Sequence, residues 1–269
     1  MSAAIRGGSL YAEPKVVTDP AECHFYHSME VPGYGEFEGP WDLRGGEAEY
    51  LGGVDVSGKR VLEIGTASGF LCFHMEQAGA DVVAFDLSPE QSFDLVPYAR
   101  SDHSGYTAAM KQHVGMINNA FWLNHRARNS QARAVYGTVY ELPSELGAFD
   151  IATLGSVLLH LRDPFLALEK TLAHTRETVV ITDKSSSLHR IPLRLSDKLA
   201  RGMFFRPDAL TCSPETTWWR LTPQLLQRMV AVLGFEESRV SYHRQLYMGK
   251  KTSLFTLVAR RTHSLPELV

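Results

Sequence analysis

The ten residues VLEIGTASGF, from Val61 to Phe70, set one carboxylate in an apolar run and follow it at once with a turn of small residues. Arg60 to Ile64 reads as a buried strand, Gly65 to Ser68 as a tight turn, and the chain from about Gly69 onward as a helix. Glycine at such a turn lets the backbone approach a ligand closely, and the start of the helix offers N–H groups with no internal partner. This is a strand-to-helix unit able to cradle a nucleotide. Glu63 narrows the ligand, because a carboxylate beside the turn repels a pyrophosphate and favours a group carrying positive charge, such as a sulfonium or an ammonium. Asp86 ends the next apolar run, VVAFDLS, where a carboxylate accepts hydrogen bonds from both hydroxyls of a ribose. A ribose at one end and a cation at the other is the ligand these two acids describe.

Outward from this unit, KRVLEIG, DVVAFDL, ARAVYG, FDIATLGSV and ETVVITD are short runs rich in β-branched residues, with amphipathic stretches such as FLCFHMEQAG and PFLALEKTLAHT between them. Strands alternating with helices predict an α/β fold built on a doubly wound, mostly parallel sheet. Asp163-Pro164 and Thr222-Pro223 each pair an N-capping side chain with proline at the first helical position, and Gly234 closes the second of these helices. ESRVSYHRQLYMG and TSLFTLVARR then follow too closely for a helical crossover, so they are expected to pair antiparallel around a Met-Gly-Lys-Lys turn. Three segments break the rhythm: residues 1–50, about 89–131 and about 184–220. Each carries aromatic and histidine residues. Additions at the carboxyl ends of strands wall the ligand crevice of an open α/β sheet. Residues 1–50 are therefore expected to form a lid segment, and 51–269 a nucleotide-binding domain whose two insertions form a helical and aromatic cap.

With 269 residues, 44% of them hydrophobic, the chain can bury one sizeable core. A formal charge of -3 supplies no broad basic field for a nucleic-acid backbone. Cys23, Cys72 and Cys212 lie far apart and lack metal-ligand spacing, so neither a disulfide framework nor a bound metal is expected. No apolar run approaches the length of a membrane span, and MSAAIRGGSLYAEP lacks the apolar core of a signal peptide. A cytoplasmic protein with no membrane contact is expected.

The acid, the glycine-rich turn and the second acid resemble the class I S-adenosylmethionine-dependent methyltransferases over roughly residues 58 to 183. The terminal helix and hairpin complete the seven-stranded sheet of that superfamily. The resemblance implies S-adenosyl-L-methionine as cofactor. Its binding residues would be Glu63, Gly65, Thr66, Ala67 and Gly69 in the first motif, Asp86 for the ribose with Leu87 next to it, Thr138 and Val139 beside adenine, and Gly155 and Ser156 ending the fourth strand, which Asp150 begins. Two positions depart from the pattern. Ala67 replaces the usual middle glycine, and Thr138 replaces an aspartate that accepts from the adenine amino group, which leaves adenine to backbone groups around Thr138 to Tyr140. FYHSMEVPGYGEFEGPWDLR, VLLHLRDPFLALEKT and TTWWRLTPQLLQRMVAVLGF are similar to a subfamily related to the enzymes that place a carboxymethyl group on the tRNA wobble uridine. Those relatives carry a longer basic N-terminal portion that this chain lacks, so a small-molecule acceptor is favoured over nucleic acid.

Transfer of an activated methyl group needs alignment and a dry site, with a base only where the acceptor is a hydroxyl or a protonated amine. His160, just past the fourth strand, is the first candidate base, and His27 with Tyr26 in the aromatic N-terminal segment is the second. Asn119, Trp122, Trp218 and Trp219 are candidate substrate contacts. Three alternatives stand beside methyl transfer to an oxygen or nitrogen of a small metabolite: cyclisation or elimination of the cofactor's amino-acid arm with release of methylthioadenosine, modification of a tRNA uridine, and a non-catalytic cofactor-binding role. A homodimer is left open.

Overall fold

The computed structural model describes residues 9–102, 104–185 and 202–264. Positions 1–8 of the expected lid segment and 186–201 of the expected second insertion lie outside the described residues. The strands of the main sheet are β3 (Trp41–Asp42), β4 (Arg60–Ile64), β5 (Asp81–Asp86), β6 (Arg133–Tyr136), β7 (Phe149–Gly155), β8 (Thr175–Lys184), β11 (Glu237–Tyr247) and β12 (Lys250–Arg260). Their spatial order is β3-β11-β12-β8-β7-β4-β5-β6. The run from β6 to β8 is parallel, and β12, β11 and β3 are antiparallel. The expected seven strands are therefore present, with an eighth at the edge. That eighth strand, β3, comes from the N-terminal segment and pairs Trp41 with Tyr247 and Asp42 with Leu246. Two hairpins lie outside the sheet, β1 (Met29–Val31) with β2 (Gly35–Phe37) and β9 (Met203–Phe205) with β10 (Trp219–Leu221).

Successive strand residues feed opposite faces of the sheet, as the period of two requires. Val61, Val82, Ala84, Ile151 and Val180 pack under α2 (Phe70–Gln77) and α3 (Ser104–Arg128) together with the N-terminal segment. Leu62, Ile64, Val83, Phe85, Ala152 and Ile181 pack under α4 (Pro164–Ala173) and α5 (Pro223–Val232). Both faces are covered, which is why the central strands read as apolar runs instead of alternating patterns. Both helix starts follow the expected chemistry. Asp163 Oδ1 accepts from the N–H of Leu166 at 3.0 Å, and Thr222 Oγ1 accepts from that of Leu225 at 3.4 Å. The terminal hairpin turns on Met248 and Gly249 alone, at φ 49° and 72°, so Lys250 and Lys251 belong to the strand and not to the turn.

The first insertion becomes the 25-residue helix α3, which runs back across the sheet face. The N-terminal segment is fastened to the glycine-rich turn by one side chain. Ser68 is fully buried, and its Oγ accepts from the N–H groups of Tyr26 (3.2 Å) and His27 (3.4 Å). Ser68→Ala leaves two donors in this interior without an acceptor, at a cost of about 1–3 kcal/mol. Chemical denaturation is expected to show that loss, together with faster proteolysis before residue 45; wild-type stability and resistance would show that Ser68 does not hold the segment.

Candidate active site

The order of the parallel strands reverses at β4, and a cavity of about 1050 Å³ opens there beyond the carboxyl ends of β4, β5, β7 and β8. Of the residues expected at the site, Tyr26, Gly65, Ala67, Asp86, Leu87, Thr138, Val139, Gly155, Ser156, His160 and Trp219 line it.

Strain and hydrogen bonding shape the floor. Gly65 has φ +79°, and a Cβ there would meet Val157 Cγ2 at 2.5 Å, so only glycine fits. Ala67 is left-handed too, with φ 49°, a conformation that an L-residue takes at a cost and that the missing family glycine would take freely. Asp86 holds it there: Oδ2 accepts from the N–H of Ala67 and Oδ1 from that of Leu87, both at 2.7 Å. Burial raises the pKa of Asp86, and those two amides oppose the rise. Ser156 has φ 53° and donates its amide to Thr182 O at 2.7 Å. At neighbouring Gly155, a Cβ would strike the Tyr50 ring at 2.9 Å. Non-glycine residues held at positive φ mark sites where the surroundings over-determine the backbone, and both flank this cleft.

Glu63 stands one layer below the floor. It is buried, accepts from Thr66 Oγ1 at 2.6 Å, and faces an internal pocket of about 20 Å³ shared with His27, Tyr50, Thr153 and Thr182. Burial pushes its pKa up to about 7. His27 lines that lower pocket and not the cleft; burial lowers its pKa to about 4, and its Nδ1 has no hydrogen-bond partner. Thr66 and Gly69 shape the turn from behind: the Thr66 hydroxyl is given to Glu63, and a Cβ at Gly69 would meet the Phe73 ring at 2.3 Å. Thr138 caps a short 3₁₀ turn by accepting from the N–H of Tyr140 at 3.3 Å.

The opposite wall comes from the insertions. His160 Nδ1 lies 2.7 Å from Thr216 O, and a carbonyl can only accept, so Nδ1 carries the hydrogen and Nε2 the lone pair. Desolvation lowers its pKa. Trp219 lines the cleft, with its Nε1 donating to Arg162 O at 3.3 Å. Trp218 is buried beside it, donating to Asp94 O at 2.8 Å within a small cluster with Val96 and Tyr98. The Tyr140 hydroxyl donates to Asp94 Oδ2, which also accepts from the N–H of Arg162, and this clasp draws the loop after β5 across the cleft.

Two expected substrate residues stand outside it. Asn119 ties α3 to the N-terminal segment, accepting from Lys15 Nζ at 2.6 Å and donating to Glu22 O at 2.9 Å. Trp122 is buried in the core against Phe121 and His125. Their neighbour Asn118 is the one that lines the cleft, donating to Leu87 O at 3.0 Å. Asp183 and Lys184 were not anticipated, although ETVVITDK repeats the strand-then-acid pattern of DVVAFDLS. Asp183 is buried at the end of β8 and lines the cleft, and burial pushes its pKa up to about 7. Lys184 Nζ lies 4.1 Å from the Tyr247 ring centroid and 5.3 Å from that of Trp41, and desolvation lowers its pKa.

A buried acid with a raised pKa makes stability depend on pH. Between about pH 4.5 and 7 the unfolded chain has released the Glu63 proton while the fold keeps it, so stability falls as pH rises and levels off above 7. The fall attributable to Glu63 is about 3 kcal/mol. Urea titrations at pH 5 and pH 8 should show a smaller difference for Glu63→Gln than for wild type; equal differences would mean that the carboxyl is not held protonated.

Comparison with other proteins agrees with this geometry. A methyltransferase-domain family model matches residues 46–235. No curated protein matches the chain in sequence. Among solved structures, the N-terminal domain of EvdMO1, determined in the presence of S-adenosylhomocysteine and D-fucose, has a TM-score of 0.52 at 17% identity over 87% of this chain and 90% of that one. A candidate methyltransferase from Bacillus halodurans C-125 has a TM-score of 0.50 at 13% identity over 80% and 98% of the two chains. The magnesium protoporphyrin IX methyltransferase of Synechocystis PCC 6803, with bound S-adenosylhomocysteine, has a TM-score of 0.49 at 14% identity over 80% of each. At these identities the likeness to the first two structures speaks to the fold alone; the sequence model, spanning well over half of the residues, carries the family. The chain belongs to the methyltransferase-domain family and is an S-adenosylmethionine-dependent methyltransferase.

Proposed function

We propose that the protein transfers the methyl group of S-adenosylmethionine to an oxygen or nitrogen of a small molecule held in the same cleft. One observation carries this reading: a single cavity of about 1050 Å³ runs from the Gly65–Ala67 turn and Asp86, past Gly155 and Ser156, to His160 and Trp219. Small-molecule sites run to about 1,000 Å³, so the space suits a cofactor with a compact acceptor beside it. A polynucleotide would need a far longer approach surface.

The residues present fit the cofactor. Gly65, which admits no Cβ, would lie against the amino-acid arm. Asp86 would accept from the ribose hydroxyls, and Leu87, Thr138 and Val139 would flank adenine. Gly155 and Ser156 would border the reacting centre. Glu63, one layer down, would act by fixing Thr66 and so the turn above it. When bound, the cofactor supplies a methyl carbon already activated by the sulfonium. The chain's own contribution is alignment and exclusion of water. Tyr26 and Trp41, brought in by the N-terminal segment, close one side of the cleft and Trp219 the other, with Trp218 supporting it from behind. His160, its Nδ1 hydrogen spent on Thr216, presents only an acceptor nitrogen.

Incubation with S-adenosylmethionine and fractionated small-molecule extracts, followed by mass spectrometry, tests the reaction. Adenosylhomocysteine formed only with an acceptor fraction supports it, whereas methylthioadenosine formed from the cofactor alone would replace transfer by cyclisation or elimination. The cofactor assignment has its own measurement. Asp86→Asn should weaken calorimetric binding of adenosylhomocysteine by about 10- to 100-fold, the loss of hydrogen bonds to a charged acceptor. Asn119→Ala should leave it unchanged. Equal affinities for wild type and Asp86→Asn would remove Asp86 from the ribose site.

A further inference from the structure

Asp183 is the carboxylate of the cleft that has a buried oxygen without a partner. Its Oδ1 accepts from the backbone N–H of Lys184 at 2.6 Å. Its Oδ2 is buried and has no hydrogen-bond partner. Of the other acids that line the cleft, Asp86 has both oxygens on backbone amides, Asp94 Oδ2 takes the Tyr140 hydroxyl and the Arg162 amide, and Glu90 is exposed to solvent. A buried acceptor without a donor is destabilising, and a bound molecule bringing an O–H or N–H would relieve that cost.

Its place in the sheet makes the spare oxygen useful. β7 and β8 run parallel with Gly155 opposite Thr182, so Asp183 is the next residue beyond the Thr182 carbonyl that takes the Ser156 amide. It therefore sits beside the strained Gly155–Ser156 end of β7. Asp86 occupies the equivalent end of β5, on the other side of β4. The two strand-ending acids bracket the crevice, and a cofactor lying across β4 with its ribose at Asp86 has its far end toward β7 and β8.

We propose that Asp183 is the proton acceptor of the reaction, its Oδ2 receiving the hydrogen of the acceptor's attacking O–H or N–H. The inference rests on the methyl-transfer reading above. The acceptor's lone pair forms the new bond to the methyl carbon as the carbon–sulfur pair returns to sulfur, and the acceptor's proton passes to the carboxylate, so charge and atoms balance. Lys184 is the adjacent cation, held between Tyr247 and Trp41, and its charge draws the Asp183 pKa down against burial. From α1 (Glu47–Tyr50), Tyr50 presents a hydroxyl whose pKa rises by burial and, in part, through Asp183, Tyr26 and Glu63. For His160, across the cleft, desolvation and then the charge of Lys184 lower the pKa. With Asp183 at about 7, the active carboxylate form fills as pH rises through neutrality. Activity should therefore rise with pH over that range.

Two readouts test the assignment, one of them independent of turnover. Asp183→Asn keeps the Oδ1 acceptor for Lys184 and removes only the basic oxygen, and calorimetric binding of adenosylhomocysteine reports whether the site is intact. In the unliganded protein, infrared titration should show protonated-carboxyl bands lost near pH 7, one absent in Asp183→Asn and another in Glu63→Gln. No band assigned to Asp183 near neutrality would overturn the proposal. Methyl transfer is then followed over pH 5 to 9 with a panel of simple phenols, hydroxybenzoic acids and primary amines as probes. Asp183→Asn should lose about a hundredfold or more in kcat and lose the acid limb. His160→Gln should keep that limb. Asp183→Glu should recover part of the rate. Transfer at wild-type rate by Asp183→Asn overturns this inference alone, leaving methyl transfer standing; no transfer by the wild-type protein to any probe counts against both.

Discussion

The site depends on a left-handed turn held by carboxylates. Gly65 and Ala67 both sit at positive φ, and the turn between them stays open because the Asp86 carboxylate grips the Ala67 amide from the next strand while Glu63 holds the Thr66 hydroxyl from below. Remove either acid and the turn keeps its strain but loses a restraint. Through Ser68 the same turn also holds the N-terminal segment, so the floor of the cleft and the wall beside it are joined at one side chain.

Burial gives these acids their character. Glu63 and Asp183 lie in places where water cannot solvate their charge, and both are raised to about 7. Glu63 has Thr66 as a donor and sits behind the turn, which suits holding the turn in place. Asp183 lines the cleft and keeps a buried oxygen without a partner, which suits exchange of a proton. Two acids with similar affinities for the proton are thus separated in role by which side of the floor they occupy.

Much of the fold was legible before the structure. The glycine-rich turn, the acid that ends the second strand, both proline-started helices and the terminal hairpin depend on residues close together in sequence, where periodicity and cap chemistry act directly. The edge strand Trp41–Asp42 was not legible, since two residues carry no period and its pairing is with a hairpin far along the chain. Helical spacing grouped Asn118, Asn119 and Trp122 but could not say which face of α3 turns inward: Asn118 lines the cleft, Asn119 holds Lys15, and Trp122 joins the core. His27 was a candidate base because it lies beside Tyr26 in the aromatic N-terminal segment, and Tyr26 does line the cleft, yet His27 itself lines the pocket below Gly65. Asp183 was readable in principle, as the acid that ends VVITD just as Asp86 ends VVAFD.

The central claim is that the cofactor lies across β4, with its ribose at Asp86 and its amino-acid arm over Gly65, leaving the β8 end of the cleft for the acceptor. A crystal structure with adenosylhomocysteine bound tests it most directly. The account predicts both ribose hydroxyls donating to the Asp86 carboxylate and open space beside Asp183. A nucleoside bound elsewhere in the cleft, or an amino-acid arm filling the space at Asp183, would contradict it.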